Sequence, residues 1–186
     1  MINFNYISTK LQGLYLIVPK SKIDNRGYFE RLFCTEEFKE VGLNRPIVNI
    51  NHSFSKQKGT IRGMHFQYPP SQEIKMITCL KGSIYDVALD IRKNSSTFLQ
   101  WQGEILDGDS RKIFMIPEGF AHGFQTLEDN VELLYIHTNF YNKEHESGLN
   151  YNDPILNINW PLKVTKISDK DKNYKFITTN FKGVEL

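Results

Sequence analysis

The chain has 186 residues, of which 40% are hydrophobic and 24% charged, and a formal net charge of +2. Those figures fit one globular domain over residues 1–186, without the basic excess that nucleic acid requires. An aromatic content of 13% favours strands over helical bundles.

In chain order, residues 14–18 form the first predicted strand. This apolar run is too short for a signal sequence or a membrane span, so a cytoplasmic protein without membrane contact is expected. Two cysteines, Cys34 and Cys79, stand far apart without metal-type spacing, which suits a reducing compartment. Asp24-Asn25-Arg26-Gly27 carries turn chemistry. Thr35 reads as the N-cap of a short helix, with Glu36 and Glu37 in its first turn and Gly42 as its stop. Strands follow at 48–54, 60–67 and 75–80, broken by Lys56-Gln57-Lys58-Gly59 and by Tyr68-Pro69-Pro70. Lys81-Gly82 turns into a strand at 83–91, where Tyr85, Val87, Leu89 and Ile91 share an apolar face. Residues 101–106 and 112–116 flank Asp107-Gly108 as an expected hairpin. A further strand covers 131–138, and a tail after Trp160-Pro161 holds a short helix near Asp169. Many short strands without βαβ alternation predict an all-β sandwich or jelly roll with a few short peripheral helices.

Two stretches carry chemistry. Gly59-Thr60-Ile61-Arg62-Gly63-Met64-His65-Phe66-Gln67 places a titratable imidazole in a strand. Simple alternation puts Ile61, Gly63 and His65 on one face and Arg62, Met64 and Phe66 on the other. Pro117-Glu118-Gly119-Phe120-Ala121-His122 is similar to the second motif of cupin barrels, where proline and glycine bend a strand and aim its histidine into the barrel mouth. A metal cupin would supply His-x-His and a downstream Glu. Here Gln67 stands in place of the second imidazole, which leaves His65, Glu73 and His122 as the weaker, metal-binding alternative. Acid–base chemistry without a metal or other cofactor is the preferred reading.

The first stretch resembles the Gly-x-x-Arg-Gly-x-His-x-Gln signature of the dTDP-4-dehydrorhamnose 3,5-epimerase family. Ile116-Pro117-Glu118-Gly119-Phe120-Ala121-His122-Gly123-Phe124, Asn51-His52-Ser53, Leu134-Tyr135, Asn152-Asp153-Pro154 and Asn159-Trp160-Pro161 match further blocks in family order. The resemblance implies a cupin or jelly-roll isomerase that serves surface-polysaccharide (O-antigen) synthesis. Its substrate would be a nucleotide diphosphate 4-keto-6-deoxy sugar whose C3 and C5 protons are removed and returned on the opposite face. It implies His65 as base, Asp171 as the carboxylate fixing its tautomer, Lys75 beside the enolate oxygen and Tyr135 as the opposing acid. Arg26 and Arg62 would hold the pyrophosphate. Phe29, Asn49, Asn51, Gln67, His122 and Tyr141 would complete the substrate contacts. It also implies a homodimer in which an N-terminal strand crosses to the partner and carries Arg26 into its site. Arg31 replaces a family glutamate and Asn49 a family glutamine, both towards the nucleotide end. Relatives using GDP or CDP sugars, or inverting only one carbon, therefore stay open. So do a metal cupin and a sugar-nucleotide-binding barrel without turnover.

Overall fold

The computed structural model describes residues 3–186, so the first two positions of the expected 1–186 domain lie outside the described residues. In chain order the elements are β1 (Phe4–Ser8), β2 (Tyr15–Pro19), β3 (Lys22–Asp24), β4 (Gly27–Phe29), α1 (Thr35–Phe38), β5 (Asn49–Ser55), β6 (Ile61–Gln67) and β7 (Lys75–Lys81). They continue with β8 (Ser83–Asp90), β9 (Trp101–Asp107), β10 (Ile113–Ile116), β11 (Phe120–Thr126), β12 (Val131–His137), β13 (Glu146–Gly148) and α2 (Asp169–Lys172). One sheet has six strands in the order β1-β2-β10-β7-β12-β5, a second has five in the order β13-β6-β11-β8-β9, and β3 and β4 form a separate ribbon. The all-β, jelly-roll expectation holds. The two main sheets remain separate rather than closing into one barrel.

Three apolar layers hold this arrangement. Between the sheets, Leu16, Ile77, Cys79, Phe114 and Leu133 of the larger sheet meet Ile84, Ala88, Leu106 and Phe124 of the smaller one. Outside the larger sheet, Phe38, Val41 and Leu43 of the α1 region cover Ile17, Met76, Ile113 and Ile136. Outside the smaller sheet, Leu149, Leu156, Ile158 and Ile177 cover Met64, Phe66, Val87 and Leu89. Each large apolar side chain so buried contributes roughly 1.5–3 kcal/mol of transfer free energy.

The inter-sheet face changes character along its strands. On β12 it runs Val131, Leu133, Tyr135, His137, and the neighbouring β7 runs Cys79, Ile77, Lys75 in register with the last three. One end of the sandwich is therefore apolar core, and the other is a polar opening.

Three expectations about local structure are corrected. The hairpin expected across Asp107-Gly108 is absent. Strand β9 pairs with β8, β10 pairs with β2 and β7, and the turn carries the chain from one sheet to the other. Two such crossovers lie side by side, because Gly108 N–H donates to the Gly82 carbonyl. Turn chemistry marks where a chain reverses and cannot say whether it lands on the same sheet or the facing one. At α1, Cys34 rather than Thr35 is the N-cap and no side chain caps it. The helix is a single turn that continues as a 3₁₀ turn over Lys39–Val41 and stops at left-handed Gly42. Strands β1, β3, β4 and β13 lie where no strand was expected.

Candidate active site

The alternation expected along β6 fails at one place, and that failure builds the site. His122 of β11 lies opposite His65, whereas Phe124 lies opposite Arg62, so three steps on β6 match two on β11. An extra residue of this kind is a β-bulge, and it shifts every side chain beyond it by one face. Arg62 therefore joins His65 on the cavity side, against the alternation expectation, while Met64 and Phe66 stay in the outer core. Gly63 takes φ +122°, and a Cβ there would stand 2.4 Å from the Cα of Gly123. Only glycine permits both the backbone angle and the approach.

The N–H of Gly63 donates to Asp171 Oδ2 at 3.1 Å. The other oxygen of Asp171 lies 2.7 Å from His65 Nε2. Asp171 sits in α2, where the Ser168 hydroxyl caps the turn by accepting from the Asp171 N–H. Burial alone would raise the Asp171 pKa, but the His65 partner, the Gly63 N–H and Ser168 together hold it below the usual carboxylate range. An ionised Asp171 accepts a hydrogen bond from the Nε2–H, so the free lone pair of the uncharged His65 ring is on Nδ1.

His65 lines a polar cavity of about 290 Å³ together with Asn49, Asn51, Gln67, Glu73, Lys75, His137, Asn139, Tyr141 and Glu146. An adjoining lobe of about 270 Å³ is lined by Arg62, His65, His122 and Phe124 from the smaller sheet and by Asn51, Ser53, Lys75, Tyr135 and His137 from the larger. The imidazole of residue 65 and the phenol of residue 135 thus come from opposite walls. Burial pushes the Tyr135 phenol well above its ordinary value, and its hydroxyl lies 3.4 Å from Ser53 Oγ. A phenol in that state keeps its proton at neutral pH and so has one to give to a strongly basic carbon. His122 is buried in the cavity wall, with Nε2 2.5 Å from Asp86 Oδ1. Burial is the largest influence on His122 and keeps its imidazole neutral in spite of Asp86.

The remaining expected residues divide. Arg62 reaches Ser55 Oγ and the Phe54 carbonyl while lining the cavity. Gln67 lines the cavity too, but its amide is used to hold loops, donating to the Ser71 carbonyl and accepting from the Asn142 N–H. Tyr141 is exposed at the rim and donates to Glu146. Arg26 and Phe29 are not brought to this cavity. Arg26 is 85% exposed and paired with Asp24, and Phe29 lines a separate cavity with Tyr28 and Arg111. They sit on the β3–β4 ribbon, whose six residues are all exposed in one chain. The alternative ligand set of His65, Glu73 and His122 is not arranged to hold a metal. Glu73 is engaged by Lys75 and His137, and no group of three His, Cys, Asp or Glu side chains placed to hold a metal ion occurs among the described residues.

Sequence reasoning missed Ser53, Asp86, His137 and Glu146. His137 was within reach, because it is two residues beyond Tyr135 and alternation places both on one face.

A model of the family described as dTDP-4-dehydrorhamnose 3,5-epimerase matches residues 8–179. The dTDP-4-dehydrorhamnose 3,5-epimerase of Methanothermobacter thermautotrophicus is 42% identical over 183 residues, 97% of this chain and 98% of that protein. The crystal structure of the Bacillus anthracis dTDP-4-dehydrorhamnose 3,5-epimerase with TDP and PPi bound is similar with a TM-score of 0.90. It is 37% identical, covering 94% of this chain and 99% of that one. The dTDP-6-deoxy-D-glucose-3,5-epimerase of Legionella pneumophila, in complex with dTDP-4-keto-L-rhamnose, is similar with a TM-score of 0.89. It is 40% identical, covering 93% of this chain and 92% of that one.

Proposed function

The chain belongs to the dTDP-4-dehydrorhamnose 3,5-epimerase family, and from that premise we propose the following account of its chemistry as an isomerase. The substrate is dTDP-4-dehydro-6-deoxyglucose, and both C3 and C5 are inverted. His65 Nδ1 takes a proton from a carbon beside the C4 ketone. The electron pair of that C–H bond becomes the carbon–carbon double bond of an enolate, and the charge moves to O4. Lys75 stabilises that oxyanion, since an ammonium in a partly dry cavity is worth far more than one in water. Tyr135 then protonates the carbon from the other face, and the configuration is inverted. Asp171 holds the tautomer of His65 and stabilises the imidazolium that forms. The neutral His122, with Nε2 turned to Asp86, has Nδ1 left to accept from a sugar hydroxyl. Asn51 and Tyr141 line the sugar end, Asn49 lies towards the nucleotide, and Arg62 grips the pyrophosphate.

The single observation that supports this reading is the placement of a carboxylate-oriented imidazole and a buried, protonated phenol on facing walls of one cavity. Binding alone needs no such opposition. The test is proton NMR of the ketosugar in D2O. We expect deuterium to enter at C3 and C5 with wild-type enzyme and incorporation to fall about 10²-fold or more in His65→Ala. No exchange by the wild type with this sugar would reject the assignment.

The working unit is a homodimer of single-domain, cytoplasmic chains that serves surface-polysaccharide synthesis. Arg26 and Phe29 then act in the partner's site. Supporting this, the ribbon exposes Ile23, Tyr28 and Phe29, and the edge strand β5 exposes Ile50 and Phe54. Apolar side chains gathered on free edges are what strand pairing between chains would cover. Among the described residues no helix is long and apolar enough to cross a membrane.

A further inference from the structure

Lys75 reaches the cavity on a flexible four-carbon stem, and an ammionium that must meet one oxygen atom needs something to hold it. Its acidic partner is Glu73, whose Oε1 lies 3.3 Å from Lys75 Nζ. The second oxygen of Glu73 accepts from His137 Nδ1 at 2.7 Å. Both residues of this pair are largely enclosed, with side chains 14% exposed, and both line the cavity that His65 lines. Their backbones are tied as well, since Ile74 N–H donates to Thr138 Oγ1 and Thr138 N–H to the Ile74 carbonyl. The His137 ring stacks on Tyr135 with centroids 6.0 Å apart.

We propose that Glu73 and His137 are positioning residues: Glu73 anchors the Lys75 ammonium at the substrate's carbonyl oxygen, and His137 fixes the rotamer of Glu73. This rests on the reading of Lys75 as the group beside the enolate oxygen. The chain of contacts runs from Lys75 through Glu73 to His137 and its stack on Tyr135. The enolate-stabilising cation and the reprotonating acid are thereby set on one scaffold. Burial alone would raise the Glu73 pKa, yet Lys75 and His137 hold it low, so the anchor is a carboxylate at neutral pH. A carboxylate that fixes a cation without touching substrate should affect the rate and not the binding, because a donor misplaced by about 1 Å can cost up to 10²-fold in rate.

The test compares Glu73→Ala, Glu73→Gln, His137→Ala and His137→Asn with wild type in the D2O exchange assay, alongside dTDP affinity and thermal stability. Glutamine keeps an oxygen for Lys75, and asparagine keeps a donor for Glu73. We expect the alanine variants to lose about 10- to 10²-fold in kcat, with KM within threefold and dTDP affinity within twofold of wild type. The glutamine and asparagine variants should recover most of that loss. Alanine variants that keep kcat within twofold, or that lose only KM, would overturn the proposal. So would glutamine and asparagine variants as impaired as the alanine ones. If Glu73→Ala does not fold, the two His137 variants decide alone. Wild-type enzyme that exchanges nothing would instead reject the underlying reaction, and the role of the pair with it.

Discussion

Tyr135 offers a way to separate two events that the native site performs together, taking a proton from one face and returning one to the other. Its hydroxyl has Ser53 as its hydrogen-bonding neighbour, and burial keeps the proton on the phenol. Removing that hydroxyl leaves His65, Asp171 and Lys75 in place. Proton abstraction should then continue while delivery from the far face fails. For Tyr135→Phe we expect deuterium to wash into C3 and C5 at a rate within about tenfold of wild type, with inverted product falling about 10²-fold or more. Chiral analysis of the recovered sugar, run beside the NMR exchange assay, checks both numbers. Equal loss of exchange and inversion would mean that the phenol takes part in abstraction too. At this scale the family resemblance singled out His65, Asp171 and Tyr135, and the structure sets His65 against Asp171 and across one cavity from Tyr135. It was silent on Glu73 and His137 as a pair. Their contact depends on how the segment after Pro70 returns to the end of β12, and no local pattern encodes that.

Between residues and the molecule stands the bulge in β6, which decides what the cavity contains. Without the extra residue Arg62 would point into the outer core, and the Gly63 N–H would be engaged in the ladder instead of holding Asp171. Gly63→Ala is the direct probe. It combines a non-glycine residue at φ +122° with a Cβ 2.4 Å from backbone. Backbone strain of about 1–3 kcal/mol and overpacking of similar size predict a combined loss of about 2–6 kcal/mol. Chemical denaturation monitored by tryptophan fluorescence measures it, and a loss under 0.5 kcal/mol would mean that the strands can part at this point. Strand positions were largely readable from apolar runs and from Gly, Pro and Asp turns. Partners were not: β9 and β10 follow one another across a sound turn and still belong to different sheets. Whether a turn closes a hairpin or bridges a sandwich depends on which apolar face the next strand must bury. That is settled by the opposing sheet rather than by the turn.

For the whole molecule, the open question is which chain supplies Arg26. In one chain the β3–β4 ribbon stands apart from both main sheets, with Phe29 73% exposed and the Arg26 guanidinium folded back on Asp24. The turn at residues 24–27 was legible because it is local chemistry, whereas its destination rests on the pairing with a second copy proposed above. Losing a charged hydrogen-bonding contact to pyrophosphate costs about 1.5–3 kcal/mol, so Arg26→Ala should weaken substrate binding roughly 10- to 150-fold. That loss would look the same whether the arginine serves its own site or the partner's. Mixed dimers separate the two. In a dimer of one His65→Ala chain and one Arg26→Ala chain, crossing ribbons leave one site intact: the site of the Arg26→Ala chain keeps its own His65 and receives the other chain's Arg26. Random pairing makes about half the dimers mixed, with one good site in each, so co-expressed chains should recover about a quarter of wild-type activity. If Arg26 serves its own chain, both sites of the mixed dimer stay damaged, and the mixture is no more active than the two variants measured separately.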